Sequence, residues 1–285
     1  FVIKRARAHV GLWSGYTMIR KSLLSLLGTL WAGAASAEWA LNMPKGVTEL
    51  SAETYDLHMM VFWWCVGIGV VVFGVMIVSL VKHRKSRGVE PATFSHSTAA
   101  EVVWTIIPVV ILLVMAVPAA ETMIRLEDSR DPDISIVVTA YQWKWHYRYQ
   151  DEDIAFYSSL DRSSVEARPK NSGIDPFAVE NFLLEVDRPL VVPKGAKVRL
   201  LITSNDVVHS WWVPDFAIKK DAVPGIINET WFRAEQTGTF RGQCTELCGK
   251  DHGYMPVVVE VVEPDAYVAW VETHQQTGER VATSQ

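Results

Sequence analysis

The sequence predicts a two-helix transmembrane antiparallel hairpin followed by an all-β domain. Three observations support this architecture: two long apolar runs, a basic segment between them, and a C-terminal half rich in short β-branched and aromatic runs. With 49% hydrophobic content and 12 tryptophans in 285 residues, the chain is more apolar than a typical soluble protein. Part of this apolar content is therefore assigned to a membrane.

Residues 1–37 are predicted to be a leader that ends in a signal peptide cleaved near Ala37. Residues 18–37 have a basic start, an apolar stretch and an Ala-Ser-Ala end, which fits the small-residue cleavage rule. The alternative is a third membrane helix, but the apolar stretch is shorter than the ~20 residues that a span requires. Residues 1–17 fit either an upstream reading frame or a processed leader.

Residues 38–124 are predicted to form the hairpin, with spans at about 57–81 and 102–123. Both runs are almost entirely apolar, and two runs of more than 18 residues are hard to bury as helices of a soluble core. Pro108 and Pro118 are tolerated within membrane helices. The connecting loop 82–98 carries four Lys and Arg residues, which places it in the cytoplasm and both ends of the hairpin outside.

Residues 133–263 are predicted to form an exported antiparallel sandwich or small barrel, and residues 264–285 a helical turn and a frayed tail. Short β-branched and aromatic runs alternate with turn signals, and residues 158–180 are polar enough to form a long loop. The predicted strands are Ile134–Thr139, Tyr141–Tyr149, Phe182–Val186, Val198–Thr203, Thr230–Phe232 and Val257–Val262.

The exported region is acidic, with 22 Asp and Glu against 15 Lys and Arg from Asp133 onward. Nucleic acid is excluded as a partner by this charge, and a basic protein is favoured.

Four soft metal donors lie within twelve residues of the C-terminal half. They are Cys244, Cys248, His252 and Met255, and His209 lies 35 residues earlier at the end of a predicted strand. Thiolates with imidazoles and a thioether favour copper, whereas a Cys2His2 zinc site leaves Met255 without a role. A mononuclear copper site needs one Cys, so the composition fits two coppers that share two sulfurs. A disulfide between the two cysteines is the remaining alternative.

On these residues the chain resembles subunit II of the bacterial haem-copper cytochrome c oxidases. The Cys-x-Glu-x-Cys-x3-His-x2-Met pattern of residues 244–255 is the CuA signature of that family, and residues 38–263 match the family's order of hairpin and copper domain. Nitrous oxide reductase shares the motif but lacks the hairpin. Two other classes are disfavoured: quinol oxidase subunit II lacks the copper ligands, and thioredoxin-like copper chaperones have one span.

The resemblance implies a cupredoxin-like Greek-key barrel and a function as the electron-input subunit of a proton-translocating oxidase. The two coppers would be bound by His209, Cys244, Cys248, His252, Met255 and the main-chain carbonyl of Glu246. The carboxylate of Glu246 would bind a Mg or Mn ion shared with subunit I. Electrons would arrive from cytochrome c and continue to subunit I, which performs the oxygen chemistry and with subunit III completes the complex. Lipid would surround the hairpin in the bacterial inner membrane, with both mature termini periplasmic.

Three further predictions concern residues outside the copper motif. Trp143 matches the family's electron-input tryptophan and is expected at a bulge or strand edge that exposes it, with Trp145 more buried. Glu101 is expected both to complete a Thr98 capping box and to open a proton path at the cytoplasmic end of the second span. Five acidic residues are expected either to form a docking face for cytochrome c or to be ordinary solvated surface: Asp151, Glu152, Asp153, Asp187 and Asp206.

Overall fold

The computed structural model describes residues 42–276, so the predicted leader and signal peptide lie outside the described residues. Within this part of the chain, everything from Pro44 onward belongs to one compact unit. It contains two long helices followed by a β-sandwich, which confirms the predicted fold class. Two of the strand pairings, β1 with β5 and β4 with β10, are parallel, so the sandwich is mixed and not purely antiparallel.

The hairpin consists of α1 (Glu49–Lys82) and α2 (Thr98–Leu126). At 1.5 Å per residue these helices are about 51 and 44 Å long, which exceeds the ~30 Å hydrocarbon core of a bilayer. Both are long and apolar enough to cross a membrane, and their apolar side chains are exposed along most of their length. The helix α2 continues through Pro108 and Pro118.

The outer ends of both helices are joined to each other and to the sandwich. Arg125 of α2 forms ion pairs with Glu49 and Glu53 of α1, while its carbonyl accepts a hydrogen bond of 3.1 Å from the Trp231 indole. Thr48 caps α1 and donates its hydroxyl to the Phe216 carbonyl at 3.1 Å. The hairpin is thus attached to the sandwich on both the incoming and the outgoing chain.

The sandwich contains two five-stranded sheets, which we call the first sheet, ordered β3-β2-β1-β5-β8, and the second sheet, ordered β4-β10-β9-β6-β7. Their strands are β1 Ile134–Tyr141, β2 Lys144–Tyr149, β3 Ile154–Ser158, β4 Leu190–Pro193, β5 Lys197–Ser204, β6 His209–Val213, β7 Ile218–Ala222, β8 Asn228–Arg233, β9 Gly238–Cys244 and β10 Pro256–Val262. Buried side chains from both sheets fill the space between them, including Trp145, Tyr147 and Trp211.

Several predicted elements were wrong. The single strand Tyr141–Tyr149 is divided by a two-residue turn, Gln142–Trp143, that reverses the chain between β1 and β2. Phe182–Val186 is a turn region, where Asn181 and Leu183 have positive φ. His209 begins β6 and does not end a strand.

Two segments are more helical than predicted: a loop was expected for the first, and only a helical turn and a tail for the second. The predicted loop contains α3 (Arg162–Ala167), capped by Asp161, and the predicted tail contains α4 (Pro264–Gln276). The helix α4 is held against the sandwich because its Trp270 ring lies 5.3 Å from Tyr149. Burial of this indole explains why the segment folds although much of it is polar.

Candidate metal centre

The copper motif lies in the loop between β9 and β10 of the second sheet. Cys244 is the last residue of β9, and Pro256 begins β10 directly after Met255. The neighbouring strand β6 begins at His209, and its register places Trp211 opposite Cys244. Adjacent strands lie about 4.8 Å apart, so the sheet itself brings His209 to the start of the loop.

The structure brings all six predicted ligand residues together around two free thiols. The Cys244 sulfur lies 3.8 Å from His209 Nδ1 and 3.4 Å from the Glu246 carbonyl oxygen. The Cys248 sulfur lies 3.6 Å from His252 Nδ1 and 3.6 Å from Met255 Sδ. The two sulfurs are 3.9 Å apart. Each thiol therefore has its own imidazole and its own weak donor.

Hydrogen bonding makes the two thiols electrostatically unequal. Burial alone opposes ionisation of Cys244, but hydrogen bonds from His209 and from the Ser210 backbone outweigh it and lower the pKa of this thiol. Burial raises the pKa of Cys248, and the neighbouring Cys244 raises it further. Two thiolates at this separation repel each other, so only cations close to both sulfurs stabilise the doubly ionised pair.

The chemistry of the donor set fits copper. Soft thiolates and a thioether prefer copper, while imidazole suits copper and zinc equally. A structural zinc site closes with four donors, whereas this cluster contains six groups arranged as two similar sets. The residues present therefore fit two soft metal ions bridged by the cysteines.

Asp206 supports His209 from outside the donor set. His209 is fully buried, and its Nε2 lies 2.9 Å from Asp206 Oδ1, so that Nδ1 faces the thiol. Although burial opposes it, the hydrogen bonds from His209, Val207 and Gln142 lower the pKa of Asp206. A carboxylate that orients a ligating histidine is a common feature of metal sites. The sequence contained one signal for this role, an aspartate three residues before the histidine.

Trp143 lies in the turn between β1 and β2, neither at a bulge nor within a strand. Its indole is half-buried and donates a hydrogen bond of 3.3 Å to the Cys248 carbonyl. Trp145 is fully buried, as expected, with its ring 6.2 Å from that of His209. The turn therefore brings Trp143 to the metal loop while Trp145 packs in the core.

Two neighbours that sequence reasoning missed hold Trp143 in place. Gln142 donates its side-chain amide to the same Cys248 carbonyl at 2.7 Å, and its backbone N–H donates to Asp206 Oδ2 at 2.7 Å. Gly249 has φ +125°, and a Cβ atom there would lie 3.0 Å from Gln142 Nε2 and 3.1 Å from Trp143 Cζ2. The close approach of the turn to the loop thus depends on a glycine.

The remaining predicted residues lie away from the cluster or differ in role. The Glu246 side chain is exposed, although its carbonyl contacts Cys244. Glu101 is exposed in the first turn of α2, but the cap is Ser97, whose hydroxyl accepts from Ala100 N; the predicted Thr98 cap was wrong by one residue. Glu101 lies at the end of α2 remote from the sandwich. It is 24 residues, or about 36 Å along the helix, from Arg125, which contacts the sandwich through Trp231.

The acidic residues predicted to form a docking face lie in three separate connections between strands. Both carboxylate oxygens of Asp206 are already bonded, and Asp187 accepts a hydrogen bond from Ser159 N. The residues 151–153 lie beyond the opposite end of β2, about 20 Å from Trp143 at 3.3 Å per residue. The docking face therefore stays a prediction.

Comparison with known proteins agrees with this geometry. Residues 134–262 match the family model for the periplasmic domain of cytochrome c oxidase subunit II, and residues 36–121 match the model for its transmembrane domain. A probable cytochrome c oxidase subunit 2 of Rickettsia bellii is 36% identical over 233 residues, which cover 82% of this chain and 83% of the relative. The chain belongs to the cytochrome c oxidase subunit II family.

Two other similar proteins also come from bacteria. Cytochrome c oxidase subunit 2 of Cereibacter sphaeroides is 38% identical over 208 residues, which cover 69% of this chain and 68% of that protein. The crystal structure of the periplasmic domain of subunit II of cytochrome oxidase from Bradyrhizobium japonicum is 39% identical, with a TM-score of 0.45, and covers 52% of this chain and 98% of that one.

Membership of the family confirms several predictions from the sequence. As a subunit II, the chain is part of the haem-copper cytochrome c oxidase and has subunit I as its partner. It is a membrane protein with a periplasmic domain, and an electron-input role fits the family. The family and the cluster of His209, Cys244 and Cys248 together support copper binding of the CuA type.

Proposed function

We propose that this subunit accepts electrons from cytochrome c at a dinuclear copper centre and passes them to haem in subunit I, where oxygen is reduced to water. One observation carries the proposal: two thiols 3.9 Å apart are each accompanied by their own imidazole and their own weak donor. This donor set would suit two soft metal ions.

The ligands would be His209, Cys244, Cys248, His252, Met255 and the Glu246 carbonyl. When bound there, a dinuclear copper centre would supply one-electron transfer with little structural reorganisation. The protein contributes rigidity. His209 and Cys244 are fixed by the pairing of β6 with β9, Met255 is anchored by β10, and Asp206 holds the His209 ring. Ligands fixed in this way move little during electron transfer.

Trp143 is the proposed point at which electrons reach the centre from cytochrome c. Its ring is partly exposed to a partner, and its indole nitrogen contacts the carbonyl of the ligand residue Cys248. A short route therefore runs from the indole through one hydrogen bond to the backbone and sulfur of Cys248. Trp145 is unsuitable, although its ring lies 6.2 Å from that of His209, because it is completely buried.

We propose two roles for Glu246, one for its main-chain carbonyl and one for its side-chain carboxylate. Its carbonyl faces the Cys244 sulfur, while its carboxylate is exposed. Carboxylates are hard donors that prefer Mg²⁺ or Mn²⁺. We assign the side chain to an ion of this type shared with subunit I, which would join the copper loop to the catalytic subunit.

The membrane-embedded part has proposed roles of its own. The basic loop 82–98 would face the cytoplasm, with both mature termini in the periplasm of a bacterial inner membrane. Glu101, at the end of α2 remote from the sandwich, would then open a proton path into subunit I. The exposed apolar surfaces of α1 and α2 would contact lipid, subunit I and subunit III.

Metal analysis and spectroscopy of the purified oxidase complex test the copper assignment. We expect two coppers for each copy of this chain, beyond the copper of subunit I, with a mixed-valence near-infrared band. Met255→Leu should shift that band because it removes one weak donor, whereas Met123→Leu, on the exposed surface of α2, should not. One copper, or zinc, in this subunit would contradict the proposal.

A further inference from the structure

The connection between β3 and β4 carries the short helix α3 and is bonded to the strand that leads into the metal loop. This connection, residues 159–189, crosses from the first sheet to the second. Its Glu185 carboxylate accepts a hydrogen bond of 2.6 Å from Arg241 of β9. Its Leu183 N–H donates to the Ser164 hydroxyl of α3 at 3.0 Å. The position of α3 is therefore fixed relative to β9.

Arg168, at the end of α3, contacts the metal loop on both sides of His252. Its backbone N–H closes the helix by donating to the Ser164 carbonyl at 3.0 Å. Its guanidinium carbon lies 4.9 Å from the centre of the Tyr254 ring, and its Nη1 lies 3.9 Å from Asp251 Oδ2. Asp251 directly precedes His252, and Tyr254 follows it by two positions. One side chain from outside the loop therefore spans the turn that carries this proposed copper ligand.

The two proposed histidine ligands are held in different ways. His209 belongs to a paired strand, and its ring is bonded to Asp206 at 2.9 Å. His252 instead begins a single 3-10 turn. Within the described residues, Asp251 stands before this turn without capping it through its side chain, and its carboxylate faces Arg168. The His252 turn therefore gains more from a contact outside the loop than His209 does.

Arginine is suited to both of these contacts. A guanidinium is planar and always charged, so it can lie over an aromatic ring and attract a carboxylate at the same time. The side chains of Arg168 and Asp251 are 35% and 24% exposed, so water screens their attraction and the ion pair is weak by itself. Because the ring contact and the ion pair act on the same short turn, together they restrict its orientation.

We propose that Arg168 is a positioning residue of the copper site. Its contacts with the two residues that flank His252 hold Nδ1 of this histidine next to the Cys248 sulfur, from which it lies 3.6 Å away. The inference rests on the proposed function, in which His252 is a copper ligand. Loss of a group that orients a metal ligand lowers metal affinity about 10- to 100-fold. Arg168 acts through its neighbours, so we expect an effect at the lower end of that range.

Copper release from the purified oxidase complex tests this role. With a copper chelator present, the near-infrared band should decay about tenfold faster in Arg168→Met than in the unmodified complex. The matched control is Arg162→Met on the same helix, because Arg162 is 88% exposed and its ion pair is with Glu166 of α3 itself. The control should decay at the unmodified rate. Equal decay in the two variants would overturn the proposal.

Two further variants separate positioning from a general loss of stability. Arg168→Lys keeps the charge toward Asp251 but loses the planar contact with Tyr254, so its band should decay only about threefold faster than in the unmodified complex. Asp251→Asn weakens the same ion pair from the loop and leaves α3 unchanged, so it tests the contact even if Arg168→Met does not fold. In the Arg168→Met background, Asp251→Asn should add less than it does alone. Full additivity of the two losses would contradict the proposal.

A measurement without metal separates this inference from the copper proposal. In the copper-depleted complex, backbone hydrogen exchange of residues 251–254 should be about threefold faster in Arg168→Met than in Arg162→Met, because the turn opens more often. Unchanged exchange, together with a normal band in the unmodified complex, would overturn only the positioning role. An absent dinuclear band in the unmodified complex would overturn the proposed function itself.

Discussion

The two turns at the ends of strand β2 are built alike but connected to different parts of the molecule. At the upper turn, Gln142–Trp143, side-chain amide and indole groups donate to the Cys248 carbonyl. At the lower turn, residues 150–153, Tyr267 and Gln275 of α4 donate to the side chain and carbonyl of Glu152. The same type of contact fixes the metal loop at one end and the C-terminal helix at the other. The role of each turn therefore depends on the segment to which it is hydrogen-bonded.

The largest expected effect comes from removing the thiol of Cys248, the residue whose carbonyl the upper turn contacts. Cys248→Ser should abolish the dinuclear copper signal and slow oxidation of cytochrome c by more than about 100-fold, since losing a ligand exceeds the 10- to 100-fold cost of losing a group that only supports one. Cys65→Ser is the control, because Cys65 is an exposed thiol of α1. Copper analysis and turnover measure both. A retained signal in Cys248→Ser would refute the ligand assignment.

A smaller effect is expected from substituting Gly249, whose lack of a side chain leaves room for the upper turn. Gly249→Ala places a Cβ atom about 3 Å from Gln142 and Trp143 and strains a backbone of φ +125°. We expect electron uptake from cytochrome c to fall about tenfold, because the indole moves away from the Cys248 carbonyl.

Gly173→Ala is the matched control for Gly249→Ala. Gly173 also has positive φ, but a Cβ atom there would meet nothing within 4 Å. Flash-induced electron transfer from a bound cytochrome measures the rate in both variants. Equal rates would show that the approach of Trp143 is unimportant.

A third variant removes one hydrogen bond without changing side-chain length. Gln142→Met deletes the donor to the Cys248 carbonyl, which we expect to slow electron uptake about three- to tenfold, in line with the ~1 kcal/mol of one hydrogen bond. Gln150→Met, at the exposed lower turn, should leave it unaltered. The split between KM and kcat is informative here: a change confined to KM would assign Gln142 to docking alone.

The smallest effect is expected at the lower turn. Tyr267→Phe removes the hydrogen bond to Glu152 and should raise hydrogen exchange of residues 150–153 about fivefold, which corresponds to ~1 kcal/mol of local stability. The near-infrared band and turnover should be unaffected. Slower cytochrome oxidation in this variant would show that the two ends of β2 are functionally coupled.

The difference between the two turns could not be predicted from periodicity. The alternation of aromatic and polar residues in 141–149 passes unbroken through the Gln142–Trp143 turn, so the pattern predicts one strand. Neither Gln nor Trp is a usual hairpin residue, and the segment lacks the Gly, Asn or Asp that marks such turns. Only the fold shows that the chain reverses there and brings Trp143 to the loop of the other sheet.

The candidate donor set, in contrast, could be proposed from the sequence because five of its six members lie within residues 244–255. His209 was proposed with them from the family resemblance, but its place beside this loop follows from the register of β6 against β9, which sequence spacing does not give. The supporting contacts of Asp206, Gln142 and Gly249 depend on loops from both sheets meeting at one end of the sandwich. The residue types of the motif indicate the chemistry of the site, whereas the strand order determines which other residues contact the motif.

The double attachment of the sandwich to the hairpin has a mechanical consequence. The chain enters the sandwich directly from α2, where Arg125 contacts both α1 and Trp231 of the sandwich. The start of α1 is attached separately, because Thr48 donates a hydrogen bond to the Phe216 carbonyl. A domain on one flexible linker can swivel, but attachment at two neighbouring points removes most of that rotation. If the copper loop faces subunit I as proposed, it would be held in one orientation, so little orientational entropy would be lost when the two subunits assemble.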